Sequence, residues 1–248
     1  MTVDQSGRNS SNNQVGVVLL AGGKGTRLAP YTKVLPKPLM PIGEMPILEI
    51  LLRQLHRDGL NEVTLAVGHL ASLLRAFFSD GSKFGINLEY SLEDKPLGTI
   101  GPLTLIDRLK QFDTVLVANG DLLTQLSFSE LIESHQKSGC LATIAAHKRE
   151  ERIDFGVLET EESGRLIGFK EKPTYEFKVS MGVYVFSTSL IDLIPKGEYF
   201  DFPDLIDLML RTDKKVNVYT FDGYWEDLGR PDDYERAVAD FSVERFIG

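Results

Sequence analysis

The 248-residue chain carries one cysteine, one tryptophan and four histidines, and no apolar stretch in it approaches bilayer-spanning length. Each scarcity removes a class of function. A lone thiol, Cys140, permits no intramolecular disulfide and no thiolate metal cluster, and at the start of an apolar run it reads as a buried structural group. His56, His69, His135 and His147 show no metal-ligand spacing and read as surface or satisfied structural residues. Spanning a membrane takes roughly 18 consecutive apolar residues, so a soluble, cytoplasmic protein with no membrane partner is expected. Basic residues are outnumbered, 27 Lys and Arg against 36 Asp and Glu, and they are spread along the chain. The net charge of −9 with no basic cluster argues against a nucleic-acid surface.

What is present suits a large α/β domain: 42% of residues are hydrophobic and 25% charged. Residues 1 to 14 are rich in Ser, Asn and Gln without periodic apolar positions, which predicts a mobile tail. From Val15, short apolar runs alternate with helix-period segments. Strands are expected near 15 to 20, 63 to 67, 86 to 91 and 114 to 118, with helices near 47 to 58, 70 to 79 and 101 to 110. That alternation predicts a mainly parallel, doubly wound sheet whose ligands gather beyond the carboxyl ends of the strands. After about residue 140 come strand-like runs at 141 to 147, 156 to 160, 165 to 170 and 180 to 186, which read as a mixed or antiparallel extension. Helices near 203 to 211 and 231 to 241 bracket a further strand near 215 to 221. A single domain over 15 to 248 is expected.

The most informative segment is Leu20-Ala21-Gly22-Gly23-Lys24-Gly25-Thr26-Arg27-Leu28, a glycine-rich turn directly after the first strand. Glycines let the backbone take positive φ and turn N–H groups toward one anion, and Lys24 and Arg27 add two cations. A Walker loop requires a glycine where Val18 stands, and the dinucleotide fingerprint requires one where Leu28 stands, so the cradle belongs to a third class. Lys37 follows in a loop stiffened by Pro36, Pro38 and Pro41, as suits a phosphate clamp. Asp121 ends a buried-looking strand after Asn119-Gly120, where a divalent cation could bridge it to nucleotide phosphates, and Asp227 is the candidate second carboxylate. Each aspartate taken alone also reads as a turn or cap residue. Glu171-Lys172-Pro173 offers a hydroxyl acceptor beside a cation, a pairing suited to a phosphorylated sugar.

Together AGGKGTRL, PKPLMPIG, PLGTIGPL, NGD, FGV, EKP, MGVY and WEDLGRPDDY resemble, in order and spacing, the sugar nucleotidyltransferases over about residues 15 to 241. The resemblance implies a Rossmann-like nucleotide-diphospho-sugar transferase fold, with a mixed, mainly parallel sheet flanked by helices and a small antiparallel sugar-binding extension, residues 15 to 140 binding nucleotide and 141 to 248 mainly sugar. It implies a nucleotide site formed by Leu20, Ala21, Gly22, Gly23, Lys24, Gly25, Thr26 and Arg27, by Glu93, Pro96, Gly98 and Thr99, and by Asn119 and Gly120. Arg27, Lys37 and Asp121 would be catalytic, and Asp121 and Asp227 would bind Mg²⁺. Gly156, Glu171, Lys172, Ser180, Gly182 and Trp225 would receive the sugar phosphate, although Trp225 also reads as a core residue. No long hexapeptide-repeat region follows, so an acyltransferase domain is not expected.

The implied partners are a nucleoside triphosphate and a sugar 1-phosphate, and homo-oligomer formation is left open. Two positions depart from the family pattern: Ser180 stands where Asn is usual, and Ile100 where a small residue is usual, which would reshape the floor of the nucleotide site. Glu93 occupies a position where uridylyl- and thymidylyltransferases often carry Gln. A carboxylate only accepts hydrogen bonds and matches the two adjacent donors of guanine, which points to GTP. The sugar is left among mannose, glucosamine and heptose types, by analogy with enzymes that make activated sugars for surface glycans. Two alternatives stand beside this reading: cytidylyl transfer to an alditol or choline phosphate, and a non-catalytic module that senses nucleotide sugars.

Overall fold

A computed structural model describes residues 15–23 and 25–247. The expectations for residues 1 to 14 and for Lys24 fall outside the described residues. Seven strands form the central sheet: β1 (Val15–Ala21), β2 (Glu62–Val67), β3 (Asn87–Leu92), β4 (Thr114–Asn119), β6 (Ala142–Arg152), β9 (Thr174–Ser187) and β10 (Val216–Phe221). Their order is β10-β6-β9-β4-β1-β2-β3. The β3, β2, β1 and β4 strands run parallel, as does the β10–β6 pair, while β9 runs antiparallel to both its neighbours. This matches the mixed, mainly parallel sheet read from the sequence.

The central strands β1, β2 and β4 are buried on both faces, so alternate residues feed two separate cores. Val17 and Leu19 join Leu48, Leu51, Leu52 and Leu55 of α1 (Ile47–Arg57), Leu74 and Phe78 of α2 (Ala71–Phe78), and Leu131 of α3 (Phe128–Ser138). Val18 and Val117 turn the other way, toward Leu205 and Met209 of α4 (Phe202–Arg211). A third cluster packs Met40, Ile47 and Leu123 against Leu228 and Ala237, the latter on α5 (Pro231–Asp240), and against Phe246 on α6 (Val243–Phe246). Fully burying each such aliphatic side chain contributes about 1.5–3 kcal/mol.

Two departures from the sequence reading have physical causes. The expected helix near 101 to 110 is instead a pair of 3₁₀ segments, Gly101–Leu105 and Asp107–Gln111. Ile100, Leu103, Ile106, Leu109 and Phe112 are all buried at a strict spacing of three, which aligns on one edge at 3.0 residues per turn and drifts at 3.6. The helix α3 was not anticipated. Its signals are local: the Ser127 hydroxyl accepts from the Glu130 N–H at 3.3 Å, and Gly139 closes the helix in the left-handed region. Cys140, just beyond, is partly exposed instead of buried.

The antiparallel extension consists of the outer halves of β6 and β9 together with a hairpin of β7 (Val157–Thr160) and β8 (Leu166–Lys170). One more ladder matters for the site: the short β5 (Leu122–Thr124) pairs antiparallel with β11 (Trp225–Asp227). No helix of the described residues is long and apolar enough to cross a membrane.

Candidate active site

At β1 the strand order reverses, since β2 lies on one side and β4 on the other. The parallel strands splay their carboxyl ends there and leave a crevice. A cleft of about 850 Å³ occupies it, walled by Leu20 to Gly23 and Gly25 to Arg27, and by Lys37, Glu93, Pro96, Gly98, Thr99, Asn119 and Asp121. Nearly the whole nucleotide site implied by the sequence is thus brought together. Gly120 sits one step behind the wall, where its N–H donates to the Leu20 carbonyl at 2.9 Å and ties the end of β4 to that of β1.

The turn after β1 works differently from the expectation that its glycines share one role. Among the described ones only Gly25 takes positive φ, at +59°, and its carbonyl accepts from the Thr32 hydroxyl at 2.7 Å. Gly22 instead lets Glu93 pack closely: a β-carbon there would stand 2.7 Å from Glu93 Oε1 and make that carboxylate shift. Arg27 is exposed, with its guanidinium laid against Gly229.

Lys37 opens a single 3₁₀ turn held by Met40 N–H donating to its carbonyl at 2.9 Å. Its stem is buried and its ammonium reaches Asp121 in a close ion pair and Asp227 Oδ1 at 3.6 Å. The β5–β11 ladder makes this meeting possible, since it sets Asp227 opposite Leu122, the neighbour of Asp121. Two carboxylates 106 positions apart in the sequence therefore share one lysine. Burial and the facing Asp121 push the Asp227 carboxyl above its ordinary range, opposed by Lys37 and Arg27. Among the described residues no group of three or more His, Cys, Asp or Glu assembles, so a cation held by this pair would complete its shell with phosphate oxygens and water.

The residues expected to receive a sugar phosphate do not wall this cleft and fall into two groups. At the irregularity in β9, Gly182 N–H donates to Ser180 Oγ at 3.3 Å, Ser180 Oγ donates to the Tyr184 hydroxyl at 3.2 Å, and Trp225 Nε1 donates to the Met181 carbonyl at 3.0 Å. Gly182 packs directly on the Asn119 amide, which places this group beside the cleft. Trp225 also packs against the main core, as its alternative reading required. Gly156 and Glu171 lie together on the extension, with Lys172 next to them in a left-handed turn conformation.

Ile100 is fully buried in the second core and does not line the cleft, so it does not form the cleft floor. The Glu93 carboxyl is pushed up by burial, an effect countered by the Leu97 N–H that Oε2 accepts at 3.2 Å. The cleft also includes Gly68 and His69, Asp94 and Lys95, and Tyr199 and Asp201, which sequence reasoning missed. Gly68 follows β2, and the rule that ligands collect at the carboxyl ends of parallel strands would have found it. Tyr199 and Asp201 carry only a helix-start signal.

The sequence profile of the nucleotidyl transferase family matches residues 16–243. The chain belongs to that family. It is 33% identical over 243 residues to a UTP–glucose-1-phosphate uridylyltransferase of Synechocystis, covering 89% of this chain and 62% of the relative. A mannose-1-phosphate guanylyltransferase of Mycobacterium tuberculosis is 34% identical over 239 residues, covering 93% of this chain and 65% of that protein. The chain thus spans less than two thirds of the length of either. Among solved structures, HddC from Yersinia pseudotuberculosis in complex with GMP-PN superposes with a TM-score of 0.71 at 24% identity, covering 92% of this chain and 99% of that one, a likeness of fold.

Proposed function

We propose that the chain is a sugar-1-phosphate nucleotidyltransferase that joins a nucleoside triphosphate, GTP by preference, to a hexose- or heptose-type 1-phosphate and releases pyrophosphate. The observation that carries the reading is Lys37 held between Asp121 and Asp227 at the end of a cleft whose other wall is the glycine turn with Arg27. A nucleoside triphosphate brings about four negative charges into an acidic protein, so local cations must offset the field. Arg27, exposed and without a carboxylate ion pair among the described residues, would meet the triphosphate. Lys37 would support the reacting phosphate.

Asp121 and Asp227 would hold Mg²⁺, which bound there would neutralise phosphate charge and orient the triphosphate. The sugar-phosphate oxygen attacks the α-phosphorus in line: one P–O bond forms to it as the bond to the leaving pyrophosphate breaks, with no covalent enzyme intermediate. The protein's part is positioning and electrostatic stabilisation. Gly156, Glu171 and Lys172 on the extension, with Ser180, Gly182 and Trp225 beside Asn119, would present the sugar phosphate. The names of the two relatives point to a sugar 1-phosphate and leave both a uracil and a guanine base in play.

The guanine reading rests on Glu93. Its Oε1 lies against Gly22, and its Oε2, engaged by Leu97, retains a second lone pair. The test is pyrophosphate release from a panel of nucleotides and sugar 1-phosphates, repeated with Glu93→Gln. The expected result is turnover with GTP that shifts toward UTP in the variant. An unchanged GTP to UTP ratio would remove the base assignment, and binding without pyrophosphate release would favour a sensor.

A further inference from the structure

The Pro96–Thr99 wall of the cleft is not self-supporting. It is tied to the segment just before α4, about a hundred residues later. Leu97 O accepts from Phe200 N–H at 2.9 Å, and Phe200 O accepts from Ile100 and Gly101 N–H at 3.1 and 3.0 Å. Asp201 completes the tie with its side chain. Its Oδ1 accepts from the Thr99 N–H at 2.9 Å and from the Thr99 hydroxyl at 3.2 Å, while the Tyr199 hydroxyl donates to Oδ2. Thr99 Oγ1 in turn accepts from Phe202 N–H at 2.8 Å.

An ionised carboxylate on the wall of a cleft for a polyanion should repel its ligand. Here both oxygens are occupied by protein donors, so the charge is spent on the loop. Burial alone would raise the Asp201 carboxyl, but the bonds from Tyr199 and Thr99 outweigh it and keep the group below its ordinary range. Tyr199, 62% exposed, is held by the same bond and lines the cleft with Glu93 to Pro96 and Gly98.

We propose that Asp201 is a positioning residue for nucleotide binding. Its carboxylate, braced by Tyr199, clasps Thr99 and fixes the Pro96–Thr99 loop in the conformation that receives the nucleoside. The inference rests on the reading of this cleft as a nucleoside-triphosphate site. Asp201 is also the N-cap of α4, in a reciprocal capping box with Asp204, whose Oδ2 accepts from Asp201 N–H at 2.9 Å. The control must therefore separate the clasp from the cap.

Three variants, Asp201→Ala, Asp201→Asn and Asp204→Ala, would be compared with the wild-type chain. The readouts are calorimetric binding of GTP and UTP, and KM for nucleotide, KM for sugar phosphate and kcat separately. Losing charge-assisted bonds to Thr99 should weaken nucleotide Kd and KM by about tenfold or more in Asp201→Ala. The KM for sugar phosphate should stay within about twofold. Asp201→Asn keeps an acceptor for Thr99 and should recover most of the affinity. Asp204→Ala damages the helix start alone and should leave nucleotide affinity unchanged.

Equal losses in Asp201→Ala and Asp204→Ala would reduce Asp201 to a helix cap, and unaltered nucleotide affinity in Asp201→Ala would overturn the clasp while leaving the site intact. A wild-type chain that binds neither nucleotide would overturn the reading of the cleft itself, and the clasp with it.

Discussion

Replacing Lys37 by Met tests what holds the two aspartates together. The side chain is 8% exposed, and its partners Asp121 and Asp227 are 24% and 43% exposed. Methionine fills a similar volume and removes only the ammonium, leaving two carboxylates facing each other across a partly dehydrated gap. Breaking a fully buried pair costs about 3–5 kcal/mol because a charge is left uncompensated. Both carboxylates keep contact with water, Asp227 over more than a third of its surface, so screening reduces the expected loss to about 2 kcal/mol. For a chain of this size that lowers the melting temperature by about 4–8 °C.

The assay is thermal unfolding in chelator-containing buffer, followed by circular dichroism. A second variant combining Lys37→Met with Asp227→Asn removes one of the facing charges and should recover most of the loss. If Lys37→Met melts at or above the wild-type temperature, the lysine is not the internal counter-ion that the geometry makes it.

Asp227→Asn has the opposite sign at neutral pH. A carboxyl whose pKa is raised on folding binds its proton more tightly in the native state, so its ionisation costs stability above the folded pKa. That cost fades as pH falls through the folded pKa. The variant should melt higher than wild type at pH 7 in metal-free buffer while losing turnover, and its advantage should vanish near about pH 4, the unfolded value for Asp. A gain that grows on acidification would contradict this. Glu93→Gln should move the GTP to UTP turnover ratio toward UTP, and Asp201→Ala should weaken nucleotide binding while sparing the sugar-phosphate KM. Both are read by steady-state kinetics on substrate panels.

The layered sheet was legible because burial on both faces leaves apolar runs such as Thr114 to Ala118 that admit few other readings. The cleft was legible because Gly22, Gly25, Lys37 and Asp121 each sit just past a strand or in a rigid turn, where local sequence limits the backbone. Long-range contacts were the least legible from the residues themselves. The meeting of Asp227 with Asp121 is implied by the family resemblance alone, since nothing near Asp227 reveals the β5–β11 ladder, and nothing near Asp201 reveals that Thr99 donates to it. At 101 to 110 the two helix periods are hard to tell apart in sequence. Apolar residues spaced by three fit a short α-helix as well as a 3₁₀ turn, and only the burial of all five separates the two.

The proposed nucleotidyl transfer turns on Arg27, a cation on the cleft wall that pairs with no carboxylate among the described residues. Arg27 is exposed and makes no salt bridge among the described residues, so Arg27→Ala should melt within about 2 °C of wild type, as exposed substitutions do. The most direct measurement is phosphorus NMR of GTP and Mg²⁺ with a panel of mannose-, glucosamine- and heptose-type 1-phosphates, using the wild-type chain and Arg27→Ala. The account predicts GDP-sugar and pyrophosphate in equal amounts from the wild type, and a rate lower by about 10²–10³-fold in the folded variant, as expected for a lost transition-state cation. Wild-type-like turnover in Arg27→Ala, or GTP hydrolysed without a sugar nucleotide, would contradict it.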